Sequence, residues 1–169
     1  MLSQKLLDEM NKQVKYEFES ANYYLAMAAY CKSEDLDGFA NFFTVQAEEE
    51  RFHAMKLFNF INELGGRAMI YGYEDPKNDF SSLEEVFTAA LKHEQFVTDR
   101  FNHLMDIAIN EKNYACVSFF NWFVDEQVEE MAMMSGLVSR IKRIGENSHA
   151  VYMLDTELAA RTFTPPAGE

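Results

Sequence analysis

The sequence predicts an all-α protein: four long helices packed as a bundle, a long crossover between the second and third, and a short fifth helix near the C-terminus. Three observations lead there. Four long stretches repeat apolar residues at a 3–4 spacing, the mark of helices that bury one face. Only three prolines are present, two of them at the extreme C-terminus, so those stretches run uninterrupted. Two of the links are short, which makes the helices they join antiparallel neighbours, while one connection is far too long for a turn.

Ser3 can cap a first helix running to about Lys32. Its buried stripe reads Met10, Val14, Glu17, Ala21, Tyr24, Ala28 and Cys31. The polar link Ser33-Glu34-Asp35 leads into a second helix that ends near Leu64, at Gly65-Gly66. Its stripe is Phe39, Phe43, Gln46, Glu50, His53, Leu57, Phe60 and Leu64. From Gly65 to about Ser81 no periodicity survives. A run of about 16 residues spans up to ~55 Å when extended, more than the ~42 Å of a 28-residue helix. It can therefore recross the bundle, so that the third helix starts at the same end as the second. Ser82-Leu83-Glu84-Glu85 reads as a capping box opening that helix, whose stripe is Leu83, Phe87, Ala90, Glu94, Val97, Phe101, Leu104 and Ala108. After the turn at Asn110–Asn113, the fourth helix carries Cys116, Phe120, Phe123, Gln127, Glu130, Met134, Leu137, Ile141 and Ile144, and stops at Gly145. A fifth helix is expected over about Asn147–Arg161, ahead of a polar tail, Thr162–Glu169. No linker divides the chain, which reads as a single domain over residues 1–169.

Composition narrows the function. Acids outnumber bases 28 to 15, a net charge of −13, which makes nucleic acid an unsuitable partner and cations a suitable one. No apolar run approaches the roughly 18 residues of a membrane span, and Met1-Leu2-Ser3-Gln4-Lys5 does not open a secretory leader. Cys31 and Cys116 form no framework or CxxC pair, as in a reduced cytosol. The expectation is a cytoplasmic protein with no membrane partner.

Each long helix interrupts its apolar stripe near mid-length. The polar members are Glu17, Gln46, Glu50, His53, Glu94, Gln127 and Glu130. Three of them recur at one offset: Glu17 with Glu94, Glu50 with Gln127 and His53 with Glu130 are all 77 positions apart. Two related helical halves would meet at such a seam. Burying one unpaired carboxylate costs several kcal/mol, and burying four would exceed a domain's roughly 5–15 kcal/mol of net stability. Protons, bases or metal must neutralise them. The stripes contain no Lys or Arg, so metal is the economical answer, and carboxylates with one imidazole suit iron or manganese better than zinc. Glu50 is best placed to bridge two divalent ions. On this reasoning, Glu94→Leu should leave the metal-free bundle no less stable.

The chain resembles the non-haem bacterial and archaeal ferritins. The likeness runs from Leu2 to about Leu158 and is carried by Glu17, Tyr24, Glu49-Glu50 with His53, Glu94, the run Trp122–Glu130 and the run Tyr152–Leu158. It implies a ferritin-like four-helix bundle, ferroxidase activity that oxidises Fe(II) with dioxygen, and storage of ferric mineral inside a hollow shell of 24 identical subunits. By the same resemblance Glu17, Glu50 and His53 hold a first iron, Glu50, Glu94 and Glu130 a second, with Gln127 beside them. Glu49, Glu126 and Glu129 match a third iron position, and the fifth helix would line the four-fold axes. No haem is expected, because Phe52 stands where haem-binding relatives present an axial methionine. The chain departs from the general di-iron pattern of two Glu-x-x-His motifs: its second copy reads Gln127-Val128-Glu129-Glu130.

Other readings stand beside these. Glu49, Glu126 and Glu129 lie next to the stripes and also fit an acidic helix surface. Tyr24 fits core packing as well as electron donation to oxygen. Trp122, off the stripe, fits packing or an interface, and His93, His103 and His149 fit the surface. The competing functions are a di-iron oxygenase or rubrerythrin-like peroxidase acting on another substrate, and a metal-free interaction bundle. The missing histidine in the second copy, where Glu130 stands, and the absence of rubredoxin-type cysteine pairs weigh against the first; the buried carboxylates weigh against the second.

Overall fold

The computed structural model describes residues 2–165, which form α1 (Gln4–Ser33), α2 (Asp37–Glu63), α3 (Leu83–Asn110), α4 (Tyr114–Ile144) and α5 (Ser148–Leu158). The end of the polar tail, residues 166–169, lies outside the described residues.

Local chemistry sets most boundaries. The side-chain oxygens of Ser3, Asn113 and Asn147 accept from the backbone N–H three residues on, opening α1, α4 and α5. Gly65 (φ +77) follows the end of α2 and Gly145 (φ +56) ends α4, left-handed conformations in which a side chain would be strained. Ser82 opens α3 by accepting from the Glu85 N–H at 3.1 Å. The return bond of the capping box falls one residue early, with the Glu85 carboxylate accepting from the Ser81 N–H at 2.6 Å.

Helix α2 starts differently. Leu36 has no side chain to cap it, and Asp155 of α5 supplies the missing acceptor, taking bonds from the N–H groups of Gly38 (2.8 Å) and Phe39 (3.0 Å). This contact requires glycine at position 38, because a Cβ there would meet the Asp155 carbonyl oxygen at 1.7 Å. Gly38→Ala is expected to cost about 1–3 kcal/mol by forcing α5 away. Gly136→Ala, in α4 with nothing within 4 Å of the added methyl, is expected to gain up to ~1 kcal/mol. Denaturant midpoints of the two variants test the contrast; equal effects would show that α5 yields freely.

Helix α5 is shorter than its pattern predicts. It ends at Leu158, where the Asn41 side-chain amide collects the carbonyls of Leu158, Ala159 and Arg161. The Leu158 carbonyl also accepts from the Arg161 N–H at 3.2 Å, so the chain closes in a tight turn held on α2 instead of a further helical turn.

The long connection recrosses the bundle as expected. Its start is tied to α1 by Asn11, which donates to the Arg67 carbonyl (3.2 Å) and accepts from the Met69 N–H (2.7 Å). Its end brings Phe80 against Tyr30. Contacts such as Tyr24–Phe43, Ser20–His93, Phe101–Phe123 and Phe52–Trp122 make α1/α2, α1/α3, α3/α4 and α2/α4 antiparallel neighbours. Helices α2 and α3 therefore run in the same direction, the reason the chain needs a crossover.

The core is two apolar clusters with a polar layer between them. One gathers Tyr24, Phe39, Phe43, Phe87 and Met134 at one end, and the other Met10, Leu57, Phe101, Phe120 and Phe123 at the opposite end. The predicted stripes are buried except at their outer ends, where Phe60, Leu64, Leu83 and Ile144 are half-buried.

Candidate metal centre

Every polar residue read from the stripes is buried in the middle layer: Glu17, Gln46, Glu50, His53, Glu94, Gln127 and Glu130. The periodicity that buries their apolar neighbours buries these too, one turn at a time. Helix α1 brings Glu17, α2 brings Glu50 and His53, α3 brings Glu94, and α4 brings Gln127 and Glu130.

Glu17, Glu50 and His53 converge most closely, each offering a ligand atom within 4.8 Å of the others. The His53 Nδ1 lies 3.7 Å from Glu50 Oε2 and 3.8 Å from Glu17 Oε2. Among the described residues, those same two buried oxygens have no hydrogen-bond donor when both groups are ionised, and only a proton shared between the two carboxyls would pair them. A buried acceptor left unsatisfied is costly, so two aimed at one imidazole nitrogen fit a shared cation.

Glu94 and Glu130 are held by different partners. Tyr24 donates its hydroxyl to Glu94 Oε1, and Gln127 Nε2 donates to Glu94 Oε2 at 3.0 Å. Gln46 Nε2 donates to Glu130 Oε2 at 2.8 Å. These bonds leave further lone pairs on each carboxylate, but they also alter the expectation for Glu94→Leu. That substitution would strip the buried Tyr24 hydroxyl of its acceptor, so Glu94→Gln is the cleaner neutral variant.

All four inner carboxyls bind protons more tightly than ordinary glutamates. Burial raises Glu17 and Glu50 well above the usual range, followed by the charges of Glu50 and Glu94 respectively. Burial also raises Glu94, against the opposing hydrogen bonds from Tyr24 and Gln127. Glu130 is pushed up to about 8 by burial, then by the charges of Glu94 and Glu49. Without a metal cation, protons are the counter-charge of this layer.

The outer residues separate. Glu49 is half-buried and pairs with Arg161 at 2.5 Å. Glu126 lines a pocket of about 360 Å³ with Glu49, and Glu129 is exposed. No described group of three acids draws these residues as close as the inner triad.

Several neighbours carried no sequence signal. Arg161 lies off every stripe, yet from just beyond α5 it brings a basic group against Glu49. Trp122 packs edge-on to His53 at 5.5 Å, in contact with the candidate site. Gln13 donates to Glu17 Oε1 at 2.7 Å and accepts from Arg100 at 3.3 Å. Its i, i+4 spacing from Glu17 is the signal that could have found it. His93 is not a surface histidine: it bonds Ser20 at 2.7 Å and packs edge-on to Tyr23 and Tyr24. Burial pulls it down to about 4.

Comparison with known proteins agrees with this architecture. Residues 7–144 match the family model described as a ferritin-like domain. The chain is 50% identical over 163 residues to a bacterial non-heme ferritin of Staphylococcus aureus, covering 96% of this chain and 98% of that one. A counterpart in Staphylococcus saprophyticus is 47% identical over the same length. An engineered closed form of the Archaeoglobus fulgidus ferritin superposes with a TM-score of 0.95 at 41% identity, covering 97% of this chain and all of that one. The open-pore ferritin of the same archaeon gives 0.95 at 40% identity. A bundle whose four helices bury one carboxylate-rich layer, matched along almost its whole length by these proteins, belongs to the ferritin family of iron-storage proteins.

Proposed function

We propose that this ferritin is a ferroxidase: it oxidises Fe(II) with dioxygen in its buried layer and stores the ferric product inside a closed shell of identical subunits. The observation that carries the reading is the triad of Glu17, Glu50 and His53 with two orphaned carboxylate oxygens.

Here iron is substrate. Glu17, Glu50 and His53 are the ligands of one Fe(II), and Glu50, Glu94 and Glu130 those of a second. Two iron electrons at one centre suit dioxygen, which takes up electrons in pairs more readily than singly. Gln127 orients Glu94 through its 3.0 Å bond, and Gln46 orients Glu130. Tyr24, hydrogen-bonded to Glu94, is the side chain best connected to supply or hold a proton or electron beside the second iron. The carboxyl protons leave as iron enters, so binding is coupled to proton release. Glu49, Glu126 and Glu129 form an outer, weaker position. The second half of the layer lacks an imidazole, which favours iron that passes on to a store over a permanent cofactor. That lack also disfavours the rival reading of an oxygenase or peroxidase acting on another substrate.

Assembly into a shell of 24 is supported by α5. It buries only Leu154 and Leu158, leaving Tyr152 68% and Met153 59% exposed, a surface that a neighbouring subunit can cover. No described helix is long and apolar enough to cross a membrane.

The test is to add Fe(II) in air at tens of ions per chain and follow protein-bound ferric absorbance together with light scattering. Soluble ferric colour on a particle far larger than this 19.6 kDa chain is the expected result. Uptake that stops near two irons would favour the oxygenase, and a monomer or dimer would overturn storage.

A further inference from the structure

Beyond α5 the chain turns back across α2 and delivers a cation to the outer acidic region. Asn41 anchors the turn through three carbonyls. From there the Arg161 guanidinium lies 4.4 Å from the centre of the Phe42 ring, donates to the Phe42 carbonyl at 3.3 Å and closes on Glu49 Oε2 at 2.5 Å. Two residues on, Phe163 packs against Phe52 at 5.7 Å. Thr162, Phe163 and Thr164 then form one wall of the pocket whose other walls include Glu49, Trp122, Glu126 and His53. The same short segment that pairs Glu49 therefore also covers the outer approach to an inner triad ligand.

We infer that Arg161 is the built-in counter-ion of the outer metal position, which a divalent cation must displace before it can use the Glu49 carboxylate. The inference rests on the reading of Glu49, Glu126 and Glu129 as a metal position. Both partners are mostly withdrawn from water, with side chains 18% and 20% exposed. There a charge-assisted pair outweighs an ordinary surface ion pair. A metal at Glu49 competes with that pair, whereas the inner triad of Glu17, Glu50 and His53 contains no Lys or Arg to compete. The difference keeps the outer position weaker than the inner pair and lets it give up its ion. The Phe42 ring and carbonyl remain as a resting place for the displaced guanidinium, so displacement does not require the tail to unfold.

The test uses the assembled, iron-free protein, titrated anaerobically with Fe(II) by calorimetry while the fluorescence of Trp122, the single tryptophan, is followed. The wild type should show a weak class of sites beyond the inner pair. In Arg161→Gln that class should be about tenfold tighter with the inner class unchanged, and in Arg161→Lys, which keeps the charge but loses the fork, intermediate. Adding Glu49→Gln to Arg161→Gln should remove the gain, since Arg161 acts through that carboxylate. A weak class equally tight, or weaker, in Arg161→Gln would overturn the role of Arg161 and leave the outer position standing. If neither protein shows a class beyond the inner pair, both the outer position and its counter-ion fall.

Discussion

Glu50→Ala should abolish rapid Fe(II) oxidation, with the initial rate falling on the order of 100-fold or more. Glu50 is the carboxylate assigned to both irons, and its Oε2 is one of the two orphaned oxygens facing His53. Its loss should therefore reduce the tight anaerobic Fe(II) stoichiometry at both inner positions. Glu130→Ala, by contrast, should spare the triad and weaken only the second iron. Stopped-flow ferric absorbance gives the rates and anaerobic titration the stoichiometries. The folded state should survive, because losing one buried carboxyl removes its desolvation cost even as alanine leaves a cavity. Glu50→Gln keeps the shape and separates the two effects. If Glu50→Ala oxidised iron at the wild-type rate, the buried layer would not be the oxidation site.

Metal-free protein is expected to lose stability as pH rises from about 6.5 to 8. An unfolded glutamate titrates near 4.5, while folded Glu130 holds its proton to about 8, and Glu17, Glu50 and Glu94 are raised as well. Between those values the native state binds more protons than the unfolded state. The stabilisation is complete below about 4.5 and lost as pH climbs through the folded values. Each group titrating in the window contributes a slope of about 1.4 kcal/mol per pH unit, with the coupled carboxyls releasing protons in steps. His93 works in the opposite direction but only between about 4 and its ordinary value of 6.5, so it does not disturb this range. Carboxyls lowered by their partners, such as Glu85 at about 2, act only on the acid side of 4.5.

Thermal unfolding of the metal-free shell across this range measures the slope, and Glu130→Gln isolates the share of one group. Bound metal should reverse the trend, since it requires the deprotonated carboxylates that alkaline pH supplies. A flat profile for the metal-free wild type, unchanged in Glu130→Gln, would mean that these carboxyls are not protonated on folding.

The helices, their antiparallel pairing and the polar layer were all readable from residue order. A helix buries whatever recurs every three or four positions, and the offset that relates Glu17, Glu50 and His53 to Glu94, Gln127 and Glu130 survives in the chain as plain spacing. The crossover followed from length alone. Glycine and capping residues marked the ends of α2, α3 and α4 for the same local reason.

What periodicity does not encode is which distant groups meet at the edge of the layer. Asp155 caps α2 across 117 positions, and Arg161 reaches Glu49 across 112. The two contacts belong to one docking event, the packing of α5 and the turn after it onto α2, with Gly38 and Asn41 as its seats. His93 and Trp122 lie off the stripes yet touch Tyr24 and His53, because a helix neighbour flanks its face wherever two other helices close over it. The inner carboxylates are thus a consequence of local pattern. The charge that meets Glu49 arises only when the C-terminal segment folds back, since ion pairing depends on distance in space and not on separation along the chain.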